Sequence, residues 1–230
     1  VRDAEKPRGG GEAREKSIRV LGREEIQGFL EAVQSPKYRT LFMLAITSGA
    51  RQGELLGLKW PDVDWKNRQI HIQRTFNNGA WFDTKSKASC RRVDLGPATM
   101  DALKGWLAVC PESALGLVFP NEAGNPVNHN NMVRRHFQPA LKAAGLPLIR
   151  FHDLRHTYAS LLIDQGENIK YIQSQLGHSS PTVTLNVYAH LMSPVNQESA
   201  RRLDSSLFGA TGNNLGTIKA KGVPGKPGTP

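Results

Sequence analysis

Cysteine is scarce in this chain: of 230 residues only Cys90 and Cys110 carry thiols. A small disulfide-stapled scaffold is thereby excluded, and two free thiols in a reducing compartment are the default. Long apolar runs are also missing. No stretch of about twenty apolar residues is available to cross a bilayer. The opening segment alternates acids and bases where a secretory signal would place a basic cap and an apolar core. A soluble protein of the cytoplasm with no membrane partner is expected. Acidic residues are in deficit as well, with 20 Asp and Glu against 30 Lys and Arg and a formal net charge of +10. That balance points to a polyanionic partner, although charge alone does not separate nucleic acid from an anionic lipid surface.

What is present is organised by punctuation. Residues 1–17 hold Gly9-Gly10-Gly11 in a charge-mixed run and read as a flexible linker, and the Gly- and Pro-rich residues 209–230 read as a disordered tail. The folded body is then 18–208, with no internal repeat. The chain opens on Val1 rather than Met, as a piece cut from a longer protein would.

Within the body, Glu24, Glu25, Ile26, Phe29, Leu30 and Val33 follow a helical period that Pro36 ends, where the next helix begins. Tyr38, Leu41, Phe42, Leu44, Ala45 and Ile46 make a buried helix closing at Gly49, and helical spacing resumes from Arg51 to Leu58, up to Trp60-Pro61. Arg68 to Arg74 alternates as a strand, Asn77-Asn78-Gly79 is a turn, and Arg91 to Leu95 is another strand, together a small antiparallel sheet. From Pro97 onward the pattern is helical over 97–108, 129–144, 152–165, 168–176, 181–189 and 194–207. The fold class is mainly α with a small antiparallel β-sheet insert (α+β).

The chemistry is concentrated in four segments. In T-S-G-A-R-Q-G-E-L-L-G-L-K-W, Arg51 follows the glycine that ends one helix and stands at the start of the next. Backbone N–H groups and the positive end of the helix dipole would add there to its attraction for an anion. Glu54, one turn on, can hold the guanidinium; taken alone, a surface arginine paired with an i+3 glutamate is the commoner meaning of such a pair. In D-T-K-S-K-A-S-C-R-R-V, Lys85 and Lys87 lie in or beside the expected hairpin, with Arg91 and Arg92 behind them. A hairpin tip can carry a cation into a groove, whereas the bland alternative is a solvated basic loop that keeps an edge strand from aggregating. A lysine partly desolvated among other cations can also have a lowered pKa and protonate a leaving oxygen, which makes Lys85 the candidate acid.

In F-H-D-L-R-H-T-Y-A-S-L-L, residues three and four apart are helical neighbours, so His152, Arg155 and His156 share one surface while Leu154, Ala159, Leu161 and Leu162 face the core. His152 and His156 with Asp153 between them are similar to the H-E-x-x-H zinc motif. Arg155 on the same turn would repel a divalent ion, and Asp is shorter than the usual glutamate base, so no metal is assigned. In I-Q-S-Q-L-G-H-S-S-P-T-V-T-L-N-V-Y-A-H, Gly177 ends a helix, His178 follows in the turn, and Ser180-Pro181 opens another helix with the serine as cap. Tyr188 lies late on that helix, where a lone tyrosine is ordinarily a packing residue. The joint pattern argues otherwise. His152, Arg155 and His178 can hold the oxygens of a phosphate, and a phenol one helix downstream supplies a nucleophile. Covalent attack on a phosphodiester needs that set if no metal provides the positive charge.

These residues resemble those of the tyrosine recombinase, or phage integrase, family over roughly residues 20–195. The likeness rests on an arginine box at Arg51 with Glu54, a hairpin lysine at Lys85 in T-K-S-K-A-S, an H-x-x-R box at His152 and Arg155, an L-G-H box at His178, and Tyr188 in V-Y-A-H. The wording S-G-A-R, H-D-L-R-H-T and L-G-H-S-S is nearest to integrases of phages and integrative elements. The resemblance implies the DNA breaking-and-rejoining catalytic fold of that family. Tyr188 would attack the scissile phosphate, releasing a 5′-hydroxyl and leaving a 3′-phosphotyrosyl bond, with no ATP, metal or other cofactor. Arg51, Arg155 and His178 would hold the non-bridging oxygens, His152 would assist deprotonation of the phenol, and Lys85 would protonate the departing oxygen, with Glu54 and Asp153 in support. Lys87, Arg91, Arg92, Arg134 and Arg135 are the expected DNA contacts.

The resemblance also implies partners: double-stranded DNA attachment sites, further copies of the chain in a tetramer on DNA, and accessory DNA-bending or directionality proteins, all at the bacterial nucleoid. Family members usually carry an N-terminal helical domain that clamps the far side of the duplex, and residues 1–17 read as the linker from such a domain. Weak, strongly salt-dependent DNA binding and little recombination are expected of this chain alone. Beyond Tyr188, the apolar stripe Val195, Ala200, Leu203, Leu207 and Phe208 is expected to pack in cis or swap onto a neighbouring subunit. Three alternatives stay open: a type IB topoisomerase-like enzyme that cleaves without synapsis, a metal-dependent hydrolase, and a non-catalytic DNA-binding regulator.

Overall fold

The computed structural model describes residues 19–83, 90–178, 180, 182 and 197–209. Lys85, Lys87, Tyr188 and Val195, the expected helix over 181–189 apart from Thr182, and the expected linker and most of the expected tail lie outside the described residues. Helix α1 (Arg23–Ala32) opens behind Gly22, whose N–H donates to the Glu25 carboxylate at 2.8 Å, and it buries Phe29. Helix α2 (Pro36–Ser48) begins on a proline, whose missing N–H costs nothing in a first turn. It closes at Gly49 in the left-handed conformation, φ 59°. A Cβ there would also lie 2.4 Å from the Tyr158 ring, so glycine is required twice over. Helix α3 (Gln52–Leu56) is shorter than the segment expected to be helical. Its Gly53 sits so close to the next strand that a Cβ would come 2.6 Å from the Thr75 methyl.

The β insert is two sheets. Strands β1 (Val63–Asp64), β2 (Gln69–Ile72) and β5 (Arg91–Asp94) pair antiparallel in the order β1-β2-β5. Between β2 and β5 the chain makes a separate hairpin of β3 (Arg74–Asn77) and β4 (Ala80–Asp83), turning on Asn78 and Gly79 with φ of 48° and 80°. Two positive φ values are what a two-residue turn needs to match the twist of its strands. The single strand expected over Arg68 to Arg74 therefore divides at Gln73, and β1 and β4 were not legible. β1 is too short to show a period, and all four residues of β4 are exposed, which leaves no alternation to see. Asn78 and Gly79 form the tip of this hairpin.

The second half is helical as expected: α4 (Pro97–Leu107), α5 (His129–Met132), α6 (Gln138–Ala143), α7 (Asp153–Asp164) and α8 (Ile169–Leu176). The one helix expected over 129–144 carries a widened π turn at Val133–Phe137. Pro139 has no N–H to donate and its ring crowds the carbonyl one turn earlier; the wide turn just before it, where the Gln138 N–H reaches back to Val133, relieves that crowding.

Four phenylalanines lock these pieces together. Phe42 of α2 lies 5.5 Å from Phe29 of α1, 5.4 Å from Phe137 of the π turn and 6.1 Å from Phe151, ring centre to ring centre. Phe151 immediately precedes His152, so the main core fixes the start of α7. A smaller cluster of Tyr158, Ala159, Ile172 and Leu176 joins α7 to α8. Leu154 and Ala159 face the core as expected, but Leu161 and Leu162 are only half-buried and Tyr158 takes the inward position. Residues Ser193–Pro230 form a separate unit, in which helix α9 (Gln197–Phe208) exposes Leu203, Leu207 and Phe208. Among the described residues no helix is long and apolar enough to cross a membrane.

Candidate active site

Arg51 stands where α2 hands over to α3. Its backbone is extended, φ −68° and ψ 151°, and the Glu54 carboxylate accepts both its N–H at 2.7 Å and its Nη1 at 3.0 Å. The start of α3 was expected to offer backbone N–H groups to an anion. Glu54 already takes the Arg51 N–H, so what Arg51 presents outward is its side chain, 41% exposed.

Glu54 itself is only 2% exposed and holds a second guanidinium, with Arg91 Nη1 at 3.0 Å from one carboxylate oxygen and Nη2 at 2.9 Å from the other. Burial pushes the Glu54 carboxyl up, but the hydrogen bonds and charge of Arg91, with those of Arg51, outweigh it and hold the pKa below the ordinary value. Arg91, an expected DNA contact, points inward. Its side chain is 5% exposed, and its Nε donates to the Gln175 carbonyl at 2.7 Å. β5 alternates buried and exposed, so of two adjacent arginines one must point in and the other out. Arg92 is the outward one, pairing with Asp64 at 3.4 Å.

Arg155, on α7, is also buried. Its Nη1 donates to the Gly49 carbonyl at 2.7 Å and its Nη2 to the Leu176 carbonyl at 2.5 Å. Both are carbonyls at helix C-termini, which lack intrahelical donors and carry the negative end of the dipole. One guanidinium therefore pins the end of α2, just ahead of Arg51, to the end of α8, just ahead of His178.

His178 follows the left-handed Gly177, with its N–H on the Gln173 carbonyl at 3.2 Å and its own carbonyl receiving the Gln173 amide at 3.0 Å. Burial, then the charges of Arg155, Arg51 and Arg91, push its imidazole down to about 4. Near neutral pH the ring is thus an uncharged donor and acceptor. His152 stands at the start of α7, exposed, with its ring 5.1 Å from that of His156. Desolvation, then His156 and Arg155, lower its pKa, and His156 is lowered too, by burial. Asp153 is buried and accepts the Arg150 N–H at 2.8 Å and Arg150 Nη2 at 2.7 Å.

The structure therefore gathers Arg51, Arg155, His156 and His178, with Glu54 and Arg91 beneath and His152 beside His156. Arg150 was overlooked in the sequence, although R-F-H-D places an arginine three residues before an aspartate. It lines a cavity of about 520 Å³ with Gln52, Arg134 and His152. Arg135 is exposed but is not among the residues lining that cavity. Gln52 Nε2 is buried with no hydrogen-bond partner among the described residues. A second cavity, of about 250 Å³, is lined by His178, Cys90, Arg91, Lys170 and Gln173. Ser180 Oγ accepts the Thr182 N–H at 3.2 Å. Lys85, Lys87 and Tyr188 lie outside the described residues, so their distances from this cluster are not part of the geometry.

The sequence profile of the phage integrase family matches residues 19–193. A tyrosine recombinase XerC-like protein of Caldanaerobacter subterraneus subsp. tengcongensis is 30% identical over 219 residues, covering 84% of this chain and 56% of its own length. The ICEBs1 integrase of Bacillus subtilis is 29% identical over 205 residues, with the same 84% and 56% coverage. The chain thus spans a little over half the length of the curated relatives it matches. The Tn1549 transposon integrase, solved in complex with circular intermediate DNA, shares the fold with a TM-score of 0.69 at 22% identity, over 83% of this chain and 67% of that one. The profile match takes in the whole gathered site and most of the chain, and the chain belongs to the phage integrase family.

Proposed function

We propose that this chain is the catalytic part of a site-specific DNA recombinase, an integrase that cleaves and rejoins strands through a 3′-phosphotyrosyl intermediate as a mobile element integrates or is excised. The observation that carries the reading is the gathering of Arg51 and Arg155, each held by buried partners, around an uncharged His178. Preorganised donors of this kind stabilise the extra charge of a pentacoordinate phosphorus without reorganising as it forms.

In the reaction, the Tyr188 oxygen bonds to phosphorus as the bond from phosphorus to the 5′-oxygen breaks. His152, uncharged near neutral pH because its pKa is lowered, accepts the phenol proton. Lys85 gives a proton to the departing oxygen. Arg51, Arg155 and His178 hold the non-bridging oxygens throughout. The same steps in reverse, with the 5′-hydroxyl of another strand, rejoin the DNA and conserve the energy of the phosphodiester.

The substrate is double-stranded DNA carrying attachment sites, held in part by Lys87, Arg92, Arg134 and Arg135, and synapsis takes a tetramer with accessory bending or directionality proteins at the nucleoid in the cytoplasm. Residues 1–17 act as a linker, 18–208 as the catalytic domain and 209–230 as a tail. The exposed apolar residues of α9 pack in cis or on a neighbouring subunit, and solution mass with and without residues 194–230 distinguishes the two.

The test is adduct formation by the longest native form of the protein on nicked duplexes with randomised sequence around the nick, so that the attachment site need not be known beforehand. A denaturant-stable protein–DNA adduct is expected with wild type and none with Tyr188→Phe. No adduct, or equal yields from the two, overturns the reading. Loss of activity with a chelator would indicate metal-dependent hydrolysis, duplex binding without cleavage a regulator, and supercoil relaxation without strand exchange a topoisomerase-like enzyme.

A further inference from the structure

We propose that Arg91 is a positioning residue for strand cleavage, a buried cross-tie that sets the Arg51 guanidinium and the His178 turn relative to each other, and that it does not touch DNA. The inference rests on the reading of this site as one that cleaves DNA, and it deepens that reading.

The tie is a continuous run of short hydrogen bonds. Arg51 donates to Glu54 through its N–H at 2.7 Å and Nη1 at 3.0 Å. The same carboxylate receives both terminal nitrogens of Arg91, at 3.0 and 2.9 Å. The remaining arm of Arg91, Nε, reaches the Gln175 carbonyl at 2.7 Å, in the last turn of α8 and three residues before His178. Arg155 takes the next carbonyl, that of Leu176, at 2.5 Å. Two adjacent carbonyls at the end of α8 are thus each gripped by a buried guanidinium. Arg155 ties them to the end of α2, and Arg91 ties them, through Glu54, to the start of α3.

The strand that carries Arg91 is fixed to α8 at its other end as well, because the Asp94 N–H donates to the Gln175 side chain at 2.8 Å. Arg91 is also the first residue of β5, the strand that follows the segment containing Lys85. The Arg51 guanidinium and the turn that carries His178 are thus both rooted at this one side chain.

Arginine is required here for its shape. A planar fork can hold both oxygens of one carboxylate while its Nε addresses a third acceptor, and a lysine ammonium has no such fixed geometry. A displaced donor matters because about 1 Å of misplacement at a reacting centre can cost roughly 100-fold in rate.

Single-turnover adduct formation at saturating duplex, DNA affinity with its salt slope, and thermal unfolding are to be measured on the full chain for wild type, Arg91→Lys, Glu54→Gln and the double variant. At a temperature where Arg91→Lys is fully folded, it is expected to form adduct roughly 10- to 100-fold more slowly, with affinity and salt slope within about twofold of wild type. Glu54→Gln is expected to fall in the same way, and the double variant to be no slower than the worse single, because the two side chains act as one unit. Wild-type rate in Arg91→Lys with only a lowered melting temperature overturns the proposal in favour of a purely structural pair. Weakened affinity with a reduced salt slope and an intact rate makes Arg91 a phosphate contact instead. Losses that multiply in the double variant overturn it too. If Arg91→Lys does not fold, Glu54→Gln decides alone, and its full activity sinks the idea. Absence of any adduct from wild type removes the cleavage reading and this inference together, whereas wild-type adduct with an unimpaired Arg91→Lys removes only the inference.

Discussion

Arg155 and Gly49 lie 106 positions apart in the chain, and the Arg155 guanidinium donates to the Gly49 carbonyl at 2.7 Å. The glycine closes α2, the arginine belongs to the H-x-x-R box, and the bond between them sits two residues ahead of Arg51. The carbonyl that ends one helix is therefore part of the mounting for two of the residues proposed to hold phosphate. Folding and catalysis share this contact, so changes to the one should be visible in the other.

Gly49→Ala tests that sharing. A side chain at φ 59° is strained, and its Cβ would lie 2.4 Å from the Tyr158 ring. The variant is expected to lose about 2–4 kcal/mol in denaturant unfolding and to form adduct more slowly even where it remains folded. An unchanged unfolding midpoint would show that α2 does not end as described.

The histidines make stability depend on pH. His178 has an ordinary value of 6.5 and a folded value of about 4. Between those two, the unfolded chain takes up a proton that the folded chain refuses, so stability is fully present above pH 6.5 and is lost as pH falls toward 4. The loss attributable to His178 is about 3 kcal/mol by the lower limit, and His136, His152 and His156, also lowered, act in the same direction. Unfolding free energies of wild type and His178→Asn across this window should converge as pH drops. A wild-type curve that rises toward acid would contradict the burial of the His178 ring.

Lys85 is proposed as the acid that protonates the departing 5′-oxygen, and chemistry can bypass it. A 5′-bridging sulfur leaves as a thiolate and needs no proton. Lys85→Ala is expected to cleave the ordinary substrate roughly 100- to 10,000-fold more slowly than wild type and the sulfur-bridged substrate at close to wild-type rate. Equal losses on both substrates would mean that Lys85 positions DNA and does not donate the proton.

Arg134 lines the cavity shared with Arg150 and His152, whereas Arg92 is exposed elsewhere and already paired with Asp64. Arg134→Ala is expected to weaken duplex binding and reduce the salt slope of log affinity by about 1, with a smaller change for Arg92→Ala. Titrations at several salt concentrations separate them, and identical slopes for both variants and wild type would remove Arg134 from the DNA-facing surface.

Much of this molecule follows from residues acting on their own neighbourhood. Pro36, Gly49 and Gly177 start and stop helices through a missing N–H or a permitted left-handed turn, and they do so in any fold, which is why those boundaries could be read directly. The Arg51–Glu54 pair and the neighbouring His152 and His156 were legible for the same reason: spacing along a helix sets which side chains lie side by side. Helical periodicity runs unbroken over 129–144, so the π turn before Pro139 does not show in it.

Arg91 shows where local reading stops. Its parity with Val93 and Leu95, both buried, marked it as inward-facing, yet a buried arginine is rare without a partner, and the partner, Glu54, is 37 positions away. Charge argued for the surface and lost to a carboxylate that only the fold supplies. Propensity, capping and periodicity act within a few residues, so most element types, the helix ends at Gly49 and Gly177 and the inventory of reactive groups can be read locally. Which arginine is buried, which carbonyls Arg155 grips and how far the His178 imidazole is driven from its ordinary pKa depend on desolvation and ion pairing among groups that meet once the core has closed.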